Sequence, residues 1–455
     1  MVLRDLVVGI DSSTTASKAL VVDACGNVVA SGRASQPLLM PRSSWHEQPA
    51  SSWWEAACTA LREAVAQVDP RRLAALCICA QRETFVITDE DGKPLADALL
   101  WMDERCRGLL PEIDRRYSRE RIHRETGKPL SANLTLGKVF WLLRERPDLF
   151  ARPIRILDVH AFLAHRLTGR FATSWGCADP MGLFDMRTST WNIPLIHAIG
   201  LRVEPFPELL PVGAHIGGIL PAAAHEAGLP EGLPLFAGIG DGQAAGLGVC
   251  AVLPGHSYLS LGTSVVSGTL SRRYLVDTAF RTMTGGIPGS FVLETVQLAG
   301  TYTTSWLIDN FVAGNQANTA AGRSRDAELE QAAALIPPGA AGLVLVPYWN
   351  GAMNPYWDAR ASGIMAGLRA IHGPAHIYRA ILEGIGFEQR LHAEGVENAL
   401  GQPLDRFIAV GGGAHSRLWC QIIADITGRP VFRAGTTEAT ALGAAILVWG
   451  QAWKI

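Results

Sequence analysis

Apolar residues at the start of the chain come in short runs separated by polar turns. Leu6 to Ile10 is one run and Lys18 to Val22 a second, joined by the small polar stretch Asp11 to Ser17. Asp23-Ala24-Cys25-Gly26-Asn27 then offers turn chemistry before Val28 to Ser31. Runs of this length, bounded by Gly, Asn, Asp and Ser, predict strand, loop, strand, turn, strand. The period changes next: Trp54, Ala57, Leu61 and Val65 recur at helical spacing, with Ser51 or Ser52 placed to cap a helix. Leu73 to Ala80 predicts a buried strand, and Phe85 to Thr88 another, ended by Asp89-Glu90-Asp91-Gly92. Residues 133–168 read as mostly helical, broken at Pro147 and Pro153.

Around Gly238 to Gly246 the residues become small and flexible, and the opening logic returns. Ser257 to Leu261, the loop Gly262-Thr263-Ser264 and Val265 to Leu270 repeat strand, Gly/Ser/Thr loop, strand. Phe407 to Val410 predicts a strand, Gly411-Gly412-Gly413 a turn, Ser416 to Ile426 a helix, and Thr437 to Val448 a last helix. Two halves with one opening motif predict a duplicated α/β architecture, divided near residue 248.

Length agrees: 455 residues at about 150 per domain allow two large domains or three smaller ones. With 48% hydrophobic and 18% charged residues, extensive disorder is excluded. A net charge of −2 gives no electrostatic case for nucleic acid or an anionic membrane. No apolar run reaches the roughly 18 residues of a membrane helix, and the start lacks a signal-peptide layout, so a soluble cytoplasmic protein is expected. The eight cysteines are scattered, and Cys77-Ile78-Cys79 reads as buried small hydrophobes rather than as metal ligands or a disulfide framework.

Several loops could carry chemistry. In Asp11-Ser12-Ser13-Thr14-Thr15-Ala16-Ser17-Lys18 a carboxylate ends a buried strand, and hydroxyls, a lysine and backbone N–H groups follow that could receive phosphate. An ordinary polar hairpin turn has the same composition. No GxxxxGK[ST] occurs, and Gly238-x-Gly240 lacks a glycine at 243, so neither the P-loop nor the dinucleotide fingerprint is present. Asp241, among small residues, suits a general base for an attacking hydroxyl, although an isolated Gly-Asp-Gly by itself favours a helix N-cap. Gln81-Arg82-Glu83-Thr84 at a strand end could bind vicinal hydroxyls or form a surface ion pair; Trp101 with Asp103 offers an apolar platform beside an acceptor. His160 and His165, five apart, are read as structural.

Taken together these segments resemble the FGGY carbohydrate kinase family over essentially the entire chain. The most specific piece is Gly363-Ile364-Met365-Ala366-Gly367-Leu368, then His376-Ile377, then Ala380-Ile381-Leu382-Glu383. Gly240-Asp241-Gly242-Gln243, Leu261-Gly262-Thr263-Ser264 and Gly411-Gly412-Gly413-Ala414 fall in the family's order. The resemblance implies two ribonuclease-H-like α/β domains of the actin/hexokinase type around a central cleft, residues 1–248 mainly for sugar and 249–455 mainly for ATP. It implies Asp241 as the catalytic base and Asp11 as the residue that holds Mg²⁺. Thr14, Thr15, Lys18, Gly262, Thr263, Gly300, Gly413 and Arg417 would surround ATP and its phosphates.

For the sugar side the resemblance implies Gln81, Arg82, Glu83, Trp101, Asp103, Asn133 and Asp241. Gln81-Arg82-Glu83-Thr84 and Pro355-Tyr356-Trp357-Asp358 are similar to the glycerol kinase branch, where Arg and Glu bind the polyol. Asn133 stands where that branch carries a tyrosine. Trp101-Met102-Asp103-Glu104-Arg105, and the region through Trp45-His46-Glu47-Gln48 and Trp53-Trp54, are similar to xylulokinases, although Arg82-Glu83 replaces their Met-His pair. The implied activity is ATP-dependent phosphorylation of a small sugar or polyol, D-xylulose to D-xylulose 5-phosphate first, with glycerol, ribulose, erythritol or gluconate as alternatives. A non-catalytic sugar or nucleotide sensor on the same fold is the reading from a different class, and an ATP-driven chaperone or filament protein lacks a peptide-binding domain. A homodimer is compatible with the sequence. The family usually continues beyond Ala441-Leu442-Gly443-Ala444-Ala445, and this chain stops at Ile455.

Overall fold

The computed structural model describes residues 4–312 and 325–452. Its first lobe is built on a six-stranded mixed sheet. The strands are β1 (Leu6–Ser12), β2 (Ala16–Asp23), β3 (Val28–Ser35), β4 (Leu73–Ala80), β5 (His215–Gly218) and β6 (Pro234–Phe236), in the spatial order β5-β6-β4-β1-β2-β3. β1 runs antiparallel to β2 and parallel to β4, with Asp11 opposite Lys18 on one side and Cys79 on the other.

Every residue of β1 and β4 is buried, because both sheet faces are covered. Leu6, Val8 and Ile10 face a core with Trp53 and Leu61 of helix α1 (Ala50–Val65) and Phe162 of α2 (Val159–Thr168). Each fully buried side chain of this kind contributes about 2 kcal/mol relative to exposure. Val7, Cys77 and Cys79 point the other way, as the period of two requires.

What covers that second face comes from the far end of the chain. Helix α6 (Ala439–Ala452) lays Ala441, Ala444, Ala445 and Val448 on β1 and β4, and crosses α3 (Asp241–Gly248). These crossings are backbone contacts. A Cβ at Gly9 would lie 2.1 Å from the Ala441 carbonyl oxygen, and one at Gly443 would lie 1.9 Å from that of Ala244. The small residues of 238–246 therefore serve close helix packing, not a flexible seam.

The second lobe repeats the plan with β7 (His256–Leu261), β8 (Val265–Ser271), β9 (Arg281–Thr284), β10 (Phe291–Gln297), β11 (Arg406–Val410) and β12 (Val431–Arg433), ordered β9-β10-β8-β7-β11-β12. β7 is antiparallel to β8 and parallel to β11, as β1 is to β2 and β4. Helices α4 (Pro374–Leu400) and α5 (Arg417–Thr427) pack on this sheet. The expected pair of α/β domains with a common opening motif is what the structure contains.

Three local expectations are corrected. The polar loop after β1 shrinks to residues 13–15, since Asp11, Ser12 and Ala16 to Lys18 continue the strands. Helix α1 is preceded by Pro49 as N-cap, with Ser51 and Ser52 inside the helix. Within 133–168, Arg155–Asp158 is a strand paired with Phe85–Thr88, because Ile156 and Leu157 are needed on a small four-stranded sheet beside the cleft.

Candidate functional site

The C-terminal ends of β1 and β4 and the N-terminus of α3 meet at one edge of the first sheet. Asp11 lies near the end of β1, Gln81 follows β4 with its N–H on the Ser12 carbonyl, and Ala80 bridges Gly240 just before Asp241. Ligands in open α/β sheets gather at such carboxyl ends.

Asp11 is buried, and its Oδ1 has no hydrogen-bond partner. Burial first, then the neighbouring Asp241 charge, push its carboxyl from 3.8 up to about 7, against the opposing pull of Lys18. An orphaned buried carboxylate next to a second one is chemistry that a hydrated divalent cation would satisfy, since Mg²⁺ takes few protein ligands and keeps phosphate and water. Among the described residues no cluster of three or more His, Cys, Asp or Glu could hold a metal unaided.

Asp241 is the first residue of α3, and Gly240 is the N-cap, so the capping reading of its side chain is corrected. Its Oδ1 accepts from the Gly242 N–H at 2.8 Å and forms an ion pair with Arg82, whose Nε lies 2.8 Å away. These contacts use one oxygen, and the side chain remains 36% exposed. Arg82 extends onward: its Nη1 reaches Glu294 Oε2 on β10 at 2.7 Å. Glu83, held at φ 59°, pairs with Arg281 Nη1 on β9 at 2.5 Å. The Arg82-Glu83 pair is thus an interlobe ion-pair chain and not a surface pair.

The other first-lobe candidates form a hydroxyl and amide cluster. Thr14 Oγ1 donates to Gln81 Oε1 at 3.0 Å and accepts from Trp101 Nε1 at 3.0 Å. Thr84 Oγ1 also donates to Gln81 Oε1, while the buried Gln81 Nε2 has no partner. Thr15 is exposed at the turn. Lys18 pairs with Glu438, just before α6, at 2.7 Å. Asn133 Nδ2 donates to the Trp101 carbonyl and lines a cavity of about 80 Å³ between the lobes, shared with Met353 and Trp357.

Asp103 is placed differently from the expectation of a hydroxyl acceptor. It is fully buried, with Oδ2 taking the His46 N–H and Arg105 Nη2, and Oδ1 taking the Arg105 Nε. Its carboxylate holds its own loop together.

In the second lobe, Gly262 and Thr263 occupy the β7–β8 turn. Gly300 lies against them, where a Cβ would be 2.5 Å from the Gly262 oxygen and 2.6 Å from that of Thr263. The Thr301 N–H donates to the Gly262 carbonyl. Gly413 sits against Leu261 in the turn after β11, and Arg417 opens α5 exposed to solvent. A cavity of about 230 Å³ lies beside this turn, lined by Gly411, His415, Arg433 and Thr437. The structure thus brings the phosphate-type candidates together as two groups, one per lobe.

Sequence reasoning missed Glu294, Arg281, Glu438 and Lys138. Lys138 is buried on the helix Thr135–Glu145, and burial lowers its ammonium to about 8. It donates to the carbonyls of Glu83, Trp101 and Asn133 at 3.4, 3.2 and 2.6 Å, tying three sugar-side candidates to one point. A lysine in an apolar helical stretch, at a buried-face position, is the only sequence signal for it. His160, read as structural, is buried in the first lobe and accepts the Gly238 N–H.

Residues 6–248 match the model of the FGGY family of carbohydrate kinases, N-terminal domain, and 257–449 match that of its C-terminal domain. The chain is 29% identical over 447 residues to a xylulose kinase of Escherichia coli strain K12, covering 97% of this chain and 89% of that one. It is 30% identical over 451 residues to a glycerol kinase of Thermococcus onnurineus, covering 97% and 88%. Among solved structures, the xylulose kinase of Rhodospirillum rubrum superposes with a TM-score of 0.88 at 27% identity, covering 97% of this chain and 89% of that chain.

Proposed function

This chain belongs to the FGGY family of carbohydrate kinases, and we propose that it transfers the γ-phosphoryl group of ATP to a hydroxyl of a ketopentose, D-xylulose first, with Asp241 as general base. The observation that carries the reading is the asymmetry of the Asp241 carboxylate. One oxygen is fixed by Arg82 and the Gly242 N–H, and the second is left to an incoming alcohol at the strand ends. The alcohol oxygen attacks the γ-phosphorus, the bond to the β,γ-bridging oxygen breaks, ADP departs, and the hydroxyl proton passes to Asp241 Oδ2.

In this reading residues 1–248 take the sugar and 249–455 the nucleotide. Gly262, Thr263 and Gly300 allow close approach of the turn backbone to phosphate oxygens, while Gly413 and Arg417 border the nucleotide. Thr14, Thr15 and Lys18 approach from the first lobe. Asp11 would hold Mg²⁺, which supplies charge neutralisation on the phosphates when bound. Most of the rate acceleration then comes from positioning and preorganised charge.

For the sugar, Gln81, Trp101 and Asn133 are the proposed contacts. Asp103 acts through its loop, and Arg82 and Glu83 act largely through their ion pairs. That assignment, together with the similarity to xylulose kinases, favours a ketopentose over glycerol. Glycerol, ribulose, erythritol and gluconate are the competing substrates.

The test is ADP release from ATP and Mg²⁺ over that panel. Sugar-dependent ADP with D-xylulose supports the assignment, turnover of another member moves it, and binding with no ADP from any member supports a non-catalytic sensor. Asp241→Asn should keep ATP binding within a few-fold and lower kcat by at least ~10³-fold. Turnover near the wild-type rate removes Asp241 from the role.

A further inference from the structure

We propose that Glu294 and Arg281, both contributed by the second lobe, are positioning residues that keep one oxygen of Asp241 available by holding Arg82 away from it. The proposal rests on the reading of Asp241 as base. Five charges alternate in sign along a chain that crosses between the lobes twice. Asp241 Oδ1 meets Arg82 Nε at 2.8 Å, Arg82 Nη1 meets Glu294 Oε2 at 2.7 Å, and Glu294 Oε1 meets Arg281 Nη2 at 2.6 Å. Arg281 Nη1 ends the chain on Glu83 Oε1 at 2.5 Å. Tyr258 fixes Glu294 further, its hydroxyl donating to Oε2 at 2.9 Å.

The physical reason lies in the guanidinium. Its planar fork matches a carboxylate in a two-pronged pair, and in a buried site that pairing is strong. Left alone with Asp241, Arg82 would engage both carboxylate oxygens and consume the acceptor that the reaction needs. Glu294, with no exposed side-chain surface, takes Nη1 and so fixes the plane of the guanidinium, with Nε rather than an Nε–Nη2 fork against Asp241. Arg281 in turn balances Glu294 and holds Glu83, so that neither carboxylate pulls Arg82 off Asp241. The packing leaves no slack: a Cβ on Gly242 would lie 2.8 Å from the Tyr258 hydroxyl, 2.9 Å from Glu294 Oε2 and 3.2 Å from Arg82 Nη2. Burying such a chain is costly unless each link is well made, which suits a geometric task better than a stabilising one.

Glu294→Gln keeps the volume and can still accept from Tyr258, and Arg281→Met keeps length without charge. Steady-state kinetics with ATP, Mg²⁺ and the sugar that gives ADP should show kcat reduced roughly 10- to 100-fold in each, the scale of one misplaced charge-assisted contact. KM for ATP should stay within ~3-fold, because neither residue is among the proposed nucleotide contacts. Arg281→Lys should recover most of the loss, and this pair carries the test if Glu294→Gln does not fold. Added to Asp241→Asn, Glu294→Gln should change the residual rate, measured with radiolabelled ATP, by less than ~2-fold, as residues acting through one group are not additive. A wild-type kcat in both single variants, or the same fold loss with and without Asp241, overturns the inference. If Asp241→Asn itself turns over normally, the underlying base assignment has failed instead.

Discussion

Replacing Asp11 by Asn should stabilise the protein above neutral pH while removing its activity. The folded state lifts this carboxyl from 3.8 to about 7, chiefly by burial. Below pH 3.8 both states are protonated and there is no cost. As pH rises from there the unfolded chain releases the proton first, so stability is lost progressively up to the folded value near 7 and is constant beyond it. About three pH units at 1.36 kcal/mol each amount to roughly 4 kcal/mol. The Asn amide must itself be buried with an unsatisfied donor, which takes back about 1–3 kcal/mol. The remainder, about 1–3 kcal/mol, corresponds to roughly 2–6 °C in the melting of the first lobe. Thermal unfolding in EDTA at pH 4, 5, 6, 7 and 8 measures it, with the lobes allowed to melt separately. The Tm difference between variant and wild type should grow from pH 4 to 7 and then level off. With ATP and Mg²⁺ the wild type should gain stability that the variant does not. A variant less stable than wild type at pH 8, or a difference that ignores pH, would refute the burial argument.

Other outcomes follow from the packing. Gly443→Val places a side chain where even a Cβ would be 1.9 Å from the Ala244 carbonyl oxygen. The α3–α6 crossing must then open, and soluble expression or Tm should fall as for an overpacked core, by about 3 kcal/mol or more. His160 is pushed by burial from 6.5 to about 4, so it stays neutral in the fold and costs stability as pH falls from 6.5 towards 4. His160→Gln should therefore flatten acid denaturation in that window by up to about 3 kcal/mol, read from urea melts at pH 7 and pH 4.5. Lys138→Met should raise KM for the sugar several-fold more than KM for ATP, because the loop carbonyls it gathers are all on the sugar side.

Local signals in the sequence were strong where the chain's immediate neighbours decide the structure. The β1–β2 and β7–β8 hairpins follow from short apolar runs around small polar turns, and their recurrence was enough to anticipate two similar lobes. Periodicity failed at Arg155–Asp158, where Ile156 and Leu157 fit a helix or a buried strand equally and the strand partner lies some 70 positions away. At the site, local composition left Asp11 and Asp241 open to structural readings, a hairpin turn and a helix cap, and only the resemblance across several motifs assigned them roles. The ion-pair chain could not be read, since Arg82 and Glu294 are 212 positions apart and each has an ordinary local context. Asp103 misled for a related reason: only the fold shows Arg105, two residues on, wrapping both of its oxygens.

A ternary crystal structure with D-xylulose and a non-hydrolysable ATP analogue bears most directly on the central claim. The account predicts one sugar hydroxyl at 2.6–3.2 Å from Asp241 Oδ2, facing the γ-phosphate, with Arg82 still on Oδ1. A sugar bound with no hydroxyl within reach of Asp241, or with Arg82 spanning both its oxygens, would contradict it.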